Sequence, residues 1–129
     1  KNAIDILKEK KVEQVENSQN DYRPWGFFEI LSKGRNFLVK KIVVYPKKRL
    51  SLQKHKFRSE HWVVVEGQAK VILDNEIFNL SKNESTYVNT GVVHRLENIS
   101  DQNLTIIEVQ TGSYLGEDDI IRIEDDFKR

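Results

Sequence analysis

The chain of 129 residues contains no cysteine and no methionine, only two prolines and only six glycines. Without cysteine there is neither a disulfide framework nor a thiolate metal site, so imidazole, carboxylate or amide oxygen must hold any metal. The same absence suits a reducing cytoplasm, the expected compartment. A chain that lacks methionine is expected to be a piece of a longer one. No apolar run approaches the roughly 18 residues of a membrane span, and the opening KNAIDILKEKKVEQVEN lacks the apolar centre of a secretory signal. An excess of one charge sign is missing as well. Lys and Arg number 21 against 20 Asp and Glu, which offers no basic footprint for nucleic acid. Neither nucleic acid nor membrane is an expected partner.

What is present is strand-forming. From Tyr22 onward the chain alternates short runs rich in Val, Ile, Phe and Tyr (FFEIL, FLVKKIVVY, HWVVVEG, AKVIL, EIFNL, STYV, LTIIEVQ) with turn-like segments such as SKGRN, EGQ and NISDQN. Regularly spaced strands without intervening helices predict an all-β sandwich or barrel. Residues 1–21 differ: Ile4, Leu7, Val12 and Val15 recur at helical spacing, and NSQND breaks the pattern. They read as a short helix and linker from a preceding domain. The closing GEDDIIRIEDDFKR reads as a short helix or an extended tail packed outside.

The chemistry concentrates in SLQKHKFRSEHWVVVEG, residues 51–67. Strand alternation sets Gln53 and His55 on one face. Glu60, Trp62 and Val64 share a face in the next strand, and His61, Val63 and Val65 share the opposite one. Further on, His94, Leu96 and Asn98 lie on one face. A sheet curled into a small barrel can bring Gln53, His55, Glu60 and His94 to one interior point. That donor set suits a borderline divalent cation, zinc first, with iron, manganese or cobalt as alternatives, and leaves open positions for water or substrate. A single strand histidine is ordinarily a hydrogen-bonded structural residue, so the paired spacing carries the inference. Glu108, in the middle of LTIIEVQ, is costly to bury unless it is paired or its pKa is raised. It is a candidate general base, or else a structural partner of Arg95 or Arg122.

The spacing Gln53-x-His55, Glu60, Gly67, followed by Gly91, His94 and Asn98, resembles the two motifs of the cupin superfamily, small double-stranded β-helix barrels of jelly-roll type. Gln53 stands where the first motif has its first histidine, and Lys47, Asn83 and Asn89 replace turn residues. A closer resemblance runs from Tyr22 to Arg129. YRPWGFFEIL, LSLQKHKFRSEHWVVVEGQAKV, HRLEN and IEVQTGSYLGEDDIIRIEDDFKR are similar to the carboxy-terminal domain of bifunctional mannose-1-phosphate guanylyltransferase/mannose-6-phosphate isomerases. The resemblance implies a cupin domain over 22–129 that interconverts mannose 6-phosphate and fructose 6-phosphate for GDP-mannose and polysaccharide synthesis. It implies a metal on Gln53, His55, Glu60 and His94, and catalytic roles for Arg58 and His61. Alternation makes a second-layer or interface role for His61 an equal alternative. The substrate phosphate is expected on Arg49, Arg95 or Lys47. Lys56 and Phe57 stand where the family often carries further histidines. The alternative reading is a non-catalytic cupin module that supports a guanylyltransferase domain. Homodimerisation is expected, since small barrels expose sheet edges. Trp25 is expected to anchor an amino-terminal segment. The cations of KKIVVYPKKR are expected to form a solvated rim, and GEDDII a capped turn or interface feature.

Overall fold

A computed structural model describes residues 19–127. The helix expected over the first residues lies outside that range. Eleven strands follow in order: β1 Asn20–Arg23, β2 Gly26–Lys33, β3 Phe37–Val44, β4 Leu52–Lys54, β5 Arg58–Glu66, β6 Ala69–Leu73, β7 Glu76–Leu80, β8 Ser85–Val88, β9 His94–Asn98, β10 Leu104–Gly112 and β11 Ile121–Glu124. No described residue is helical. The closing acidic run is a turn followed by β11, which settles the choice left open by its sequence. β1 begins at Asn20, just before the boundary expected at Tyr22.

The strands form two antiparallel sheets. One has six strands in the order β1-β2-β3-β10-β5-β8, and the other has five in the order β11-β4-β9-β6-β7. The all-β reading therefore holds. Alternation decides what each strand buries. In β5, Arg58, Glu60, Trp62 and Val64 are buried while His61, Val63 and Val65 are exposed. In β10, Leu104, Ile106, Glu108 and Gln110 face inward. The shared interior has an apolar body of Trp25, Phe28, Ile42, Val44, Trp62, Val64, Val71, Val88, Leu96, Leu104 and Ile106. It also has a polar end, made by the same inward rows where they carry Arg58, Glu60 and Glu108.

Two glycines fix the sheet edges. Gly26 closes the β1–β2 hairpin at φ +155, where a Cβ would lie 1.9 Å from the Val43 carbonyl oxygen. Gly67 follows β5 at φ +86, with a Cβ position 2.9 Å from the Asn103 carbonyl oxygen. Both places combine a backbone that favours glycine with no room for a side chain. Trp25, in the hairpin turn, packs its ring into the core and so anchors the β1–β2 hairpin on the barrel, and Tyr45 N–H donates to its carbonyl.

Candidate metal centre

The registers bring distant residues together. β4 meets β9 with Gln53 opposite His94. β5 meets β10 with Glu60 opposite Gln110 and Trp62 opposite Glu108, and Glu108 is in turn opposite Lys40 of β3. His55, the residue after β4, turns in over the same spot. The result is a buried trio, His55, Glu60 and His94, whose donor atoms all lie within 4.8 Å of one another.

Hydrogen bonds fix both rings. His55 Nδ1 sits 2.7 Å from the Asp119 carbonyl oxygen and His94 Nδ1 sits 2.9 Å from that of Val92. A carbonyl only accepts, so each Nδ1 carries hydrogen and each neutral ring presents the Nε2 lone pair. Burial lowers the His94 pKa against the opposing charge of Glu60, which favours that neutral form. His55 Nε2 faces Glu60 Oε2 at 3.2 Å, and His94 Nε2 faces Glu60 Oε1 at 3.8 Å. Lone pairs set against lone pairs call for positive charge between them. Burial works to raise the Glu60 pKa, but the positive charge and hydrogen bonding around it, Arg58 included, hold it well below the ordinary value, so it stays a carboxylate. The donor chemistry fits a borderline divalent cation.

Arg58 supplies positive charge at this spot itself. Its Nε donates to Glu60 Oε2 at 3.0 Å and its Nη2 approaches His55 Nε2 at 3.3 Å. A cation and this guanidinium therefore draw on the same lone pairs. Gln53 lines the same cavity, and its amide nitrogen donates to Ser51 Oγ at 2.9 Å, leaving the amide oxygen to offer. Trp62 Nε1 donates to Glu60 Oε1 at 3.1 Å and Glu108 Oε1 at 3.0 Å, so one indole ties the two carboxyls together. Gln110 donates to Glu108 Oε2 at 2.8 Å. Burial, then the Glu60 charge, raises the Glu108 pKa to about 8, with Lys40 opposing. Such a carboxyl exchanges protons near neutral pH. It pairs with neither Arg95 nor Arg122.

Other expected residues lie elsewhere. His61 is on the outer face of β5, its ring 4.6 Å from that of Tyr87, because odd positions of β5 point away from the interior. Lys47 donates to the Ile99 carbonyl on the surface. Arg49 is engaged by Asp126 and Glu124. Arg95 lines the cavity, but its three nitrogens go to the Leu50 carbonyl and to Glu124. Arg49 and Arg95 are thus committed to holding the carboxy-terminal segment, and Lys47 to the loop between β9 and β10. Lys56 and Phe57, where the chain departs from its family, are exposed and do not line the cavity.

The acidic turn supplies what the sequence did not reveal. Buried Asp119 accepts the Lys56 and Phe57 amides at 2.9 Å each, while its own carbonyl orients His55. Asp119→Ala is expected to lower divalent metal affinity roughly tenfold, within the range of outer-shell substitutions. Asp119→Asn keeps one acceptor and loses less. Competition titration against a chromophoric chelator measures both, and unchanged affinity in Asp119→Ala would refute the positioning role.

Fold and site together define a cupin barrel with a two-histidine, one-carboxylate centre at the polar end of its interior. Solved structures share the barrel. The capsular polysaccharide assembling protein CapF from Staphylococcus aureus superposes at a TM-score of 0.73 with 20% identity, over 83% of this chain and 34% of that one. The Schizosaccharomyces pombe Cnp3 cupin domain superposes at 0.69 with 13% identity, over 76% and 71%. The chain belongs to the mannose-6-phosphate isomerase C-terminal family, whose sequence model matches residues 9–125. Xanthan biosynthesis protein XanB of Xanthomonas campestris is 52% identical over 84% of this chain and 23% of its own length. Alginate biosynthesis protein AlgA of Pseudomonas aeruginosa is 47% identical over 100% and 27%. Mannose-1-phosphate guanylyltransferase of Salmonella muenchen is 43% identical over 96% and 26%. The chain thus spans about a quarter of the length of these relatives.

Proposed function

We propose that the chain interconverts mannose 6-phosphate and fructose 6-phosphate, as one part of a longer guanylyltransferase/isomerase serving GDP-mannose and polysaccharide synthesis in the cytoplasm. The observation that carries this reading is a cation-ready trio beside a near-neutral carboxyl, with Glu60, His94 and Glu108 lining one cavity. Family membership supports the substrate. His55, Glu60 and His94 would hold a divalent ion, with the Gln53 amide oxygen as a further candidate donor, and the ion would supply Lewis acidity for the oxygens at C1 and C2. Zinc suits the set best, and cobalt, manganese and iron also suit it.

The chain's own groups do the rest. Glu108 takes the C2 proton of the aldose and returns it at C1, passing through an enediol. Trp62 and Gln110 hold that carboxyl in place. Arg58 brings a permanent positive charge to the oxygen that becomes negative, and its Nη1 has no hydrogen-bond partner among the described residues. Trp25, Phe28, Ile42 and Leu96 wall the cavity against water.

The test is turnover of mannose 6-phosphate by metal-loaded protein, read as fructose 6-phosphate formed. Glu108→Gln is expected to lose roughly 100-fold or more in kcat, and Arg58→Met a comparable amount. Both should keep their metal, with Arg58→Met binding it at least as tightly because a competitor for the lone pairs is gone. Absence of turnover in loaded wild type would leave a barrel that supports a partner domain.

A further inference from the structure

Beside Arg58, the same cavity holds two cations, Lys40 and Arg23, that this chemistry does not use. Lys40 lies in the middle of β3 with 6% exposure. A buried ammonium in a sheet is costly without partners. It lies 4.1 Å from the centroid of the Phe28 ring, and the Arg23 guanidinium carbon lies 5.2 Å from that centroid. Arg23 also pairs with Asp21 at the rim. Arg58 adds the unpartnered Nη1. Lys40, Arg23 and Arg58 all line the one cavity.

Among the described residues, the carboxylate bonded to Lys40 is Glu117, at 2.7 Å. Glu117 is not part of the barrel wall. Its side chain is 53% exposed, in the turn before β11. Burial works to raise its pKa, but Lys40 first, then Arg58 and Arg23, hold it below the ordinary carboxylate value. Three cations on two strands and a hairpin thus act on one side chain of a surface turn.

We propose that Lys40, Arg23 and Arg58 form an anion subsite for a phosphate monoester, and that Glu117 occupies it until the phosphate displaces it. A carboxylate brings one charge and two oxygens. A phosphate dianion brings nearly two charges and three acceptor oxygens, enough to engage the ammonium and the free Arg58 nitrogen together. Displacing Glu117 moves an exposed side chain and leaves the core intact. Asp119, two residues on, keeps its hold on the Lys56 and Phe57 amides. The isomerase reading supplies only the name of the phosphate ester; the cation cluster stands without it.

The probe is inorganic phosphate, titrated into chelator-treated protein and followed by calorimetry, so that metal coordination contributes nothing. Glu117→Gln removes the competitor and is expected to bind phosphate roughly tenfold more tightly than wild type, the scale of one charge-assisted hydrogen bond. Adding Lys40→Met to that variant is expected to abolish the gain. A carboxylate that merely neutralises a structural lysine gives neither result. The proposal is overturned if Glu117→Gln binds no more tightly than wild type, or if the double variant still binds. Turnover of mannose 6-phosphate, measured separately on metal-loaded wild type, keeps the two readings apart. Turnover without the phosphate pattern removes the subsite alone, and the phosphate pattern without turnover removes the isomerase alone.

Discussion

His55→Ala is expected to weaken divalent metal binding by roughly 100-fold or more and to bring isomerase turnover down to background. The reason lies in how few donors there are. His55, Glu60 and His94 are the ligand-type trio among the described residues, and no cysteine can take the place of a lost imidazole. The substitution also strands the Asp119 carbonyl, which loses its donor at 2.7 Å. It leaves Arg58 and Glu60 paired, so the buried charges remain balanced and the barrel should keep its strand content. Bound metal by elemental analysis, affinity by chelator competition and far-UV circular dichroism read the three parts of this expectation. Full metal occupancy in the variant would sink the ligand assignment.

Asn98→Ala is expected to cost about 3 kcal/mol of stability, the largest loss from a residue outside the metal trio. The side chain is fully buried and fully used. Its Nδ2 donates to the Val44 carbonyl at 2.9 Å and the Gln102 carbonyl at 2.7 Å. Its Oδ1 accepts from the Ser100 amide at 3.0 Å and the Ser100 hydroxyl at 2.9 Å. Alanine takes this donor from the buried Val44 carbonyl and this acceptor from the Ser100 amide, each a penalty of about 1 kcal/mol or more, and leaves a cavity, while the Gln102 carbonyl keeps the Ser100 hydroxyl. Asn98→Asp is expected to do no better, because it turns an oxygen toward two carbonyl oxygens. Urea unfolding measures both, and a cost under about 1 kcal/mol for alanine would refute the account.

Much of this site could be read from the sequence because it is built on alternation. Glu60 and Trp62 on one side of β5, His61 on the other, and His94, Leu96 and Asn98 together follow from a period of two. Those positions needed no knowledge of tertiary contacts. Lys40 misled for the converse reason. In KKIVV it looks like one of two neighbouring rim cations, yet alternation buries Lys40 while Lys41 stays partly exposed. Asp119 and Glu117 were hidden because their partners lie far back in the chain, and no local spacing marks such a contact. Arg49 and Arg95 looked free to hold phosphate because their carboxylates, on Glu124 and Asp126, sit in a segment whose form the sequence left undecided.

The carboxy-terminal segment carries one more consequence, in the time domain. Lys40 and Glu117 are separated by 77 residues, His55 and Asp119 by 64, and Arg49 and Asp126 by 77. Contacts of such high order close late, since the loop entropy is spent before any bond forms. The half of the centre carried by β4 and β5 therefore exists during folding without the carbonyl that orients His55. On the proposed reading, metal capture is expected to be a finishing step of folding, not its nucleus. A chelator present during refolding should leave the main folding phase unchanged and abolish only a late signal from the site.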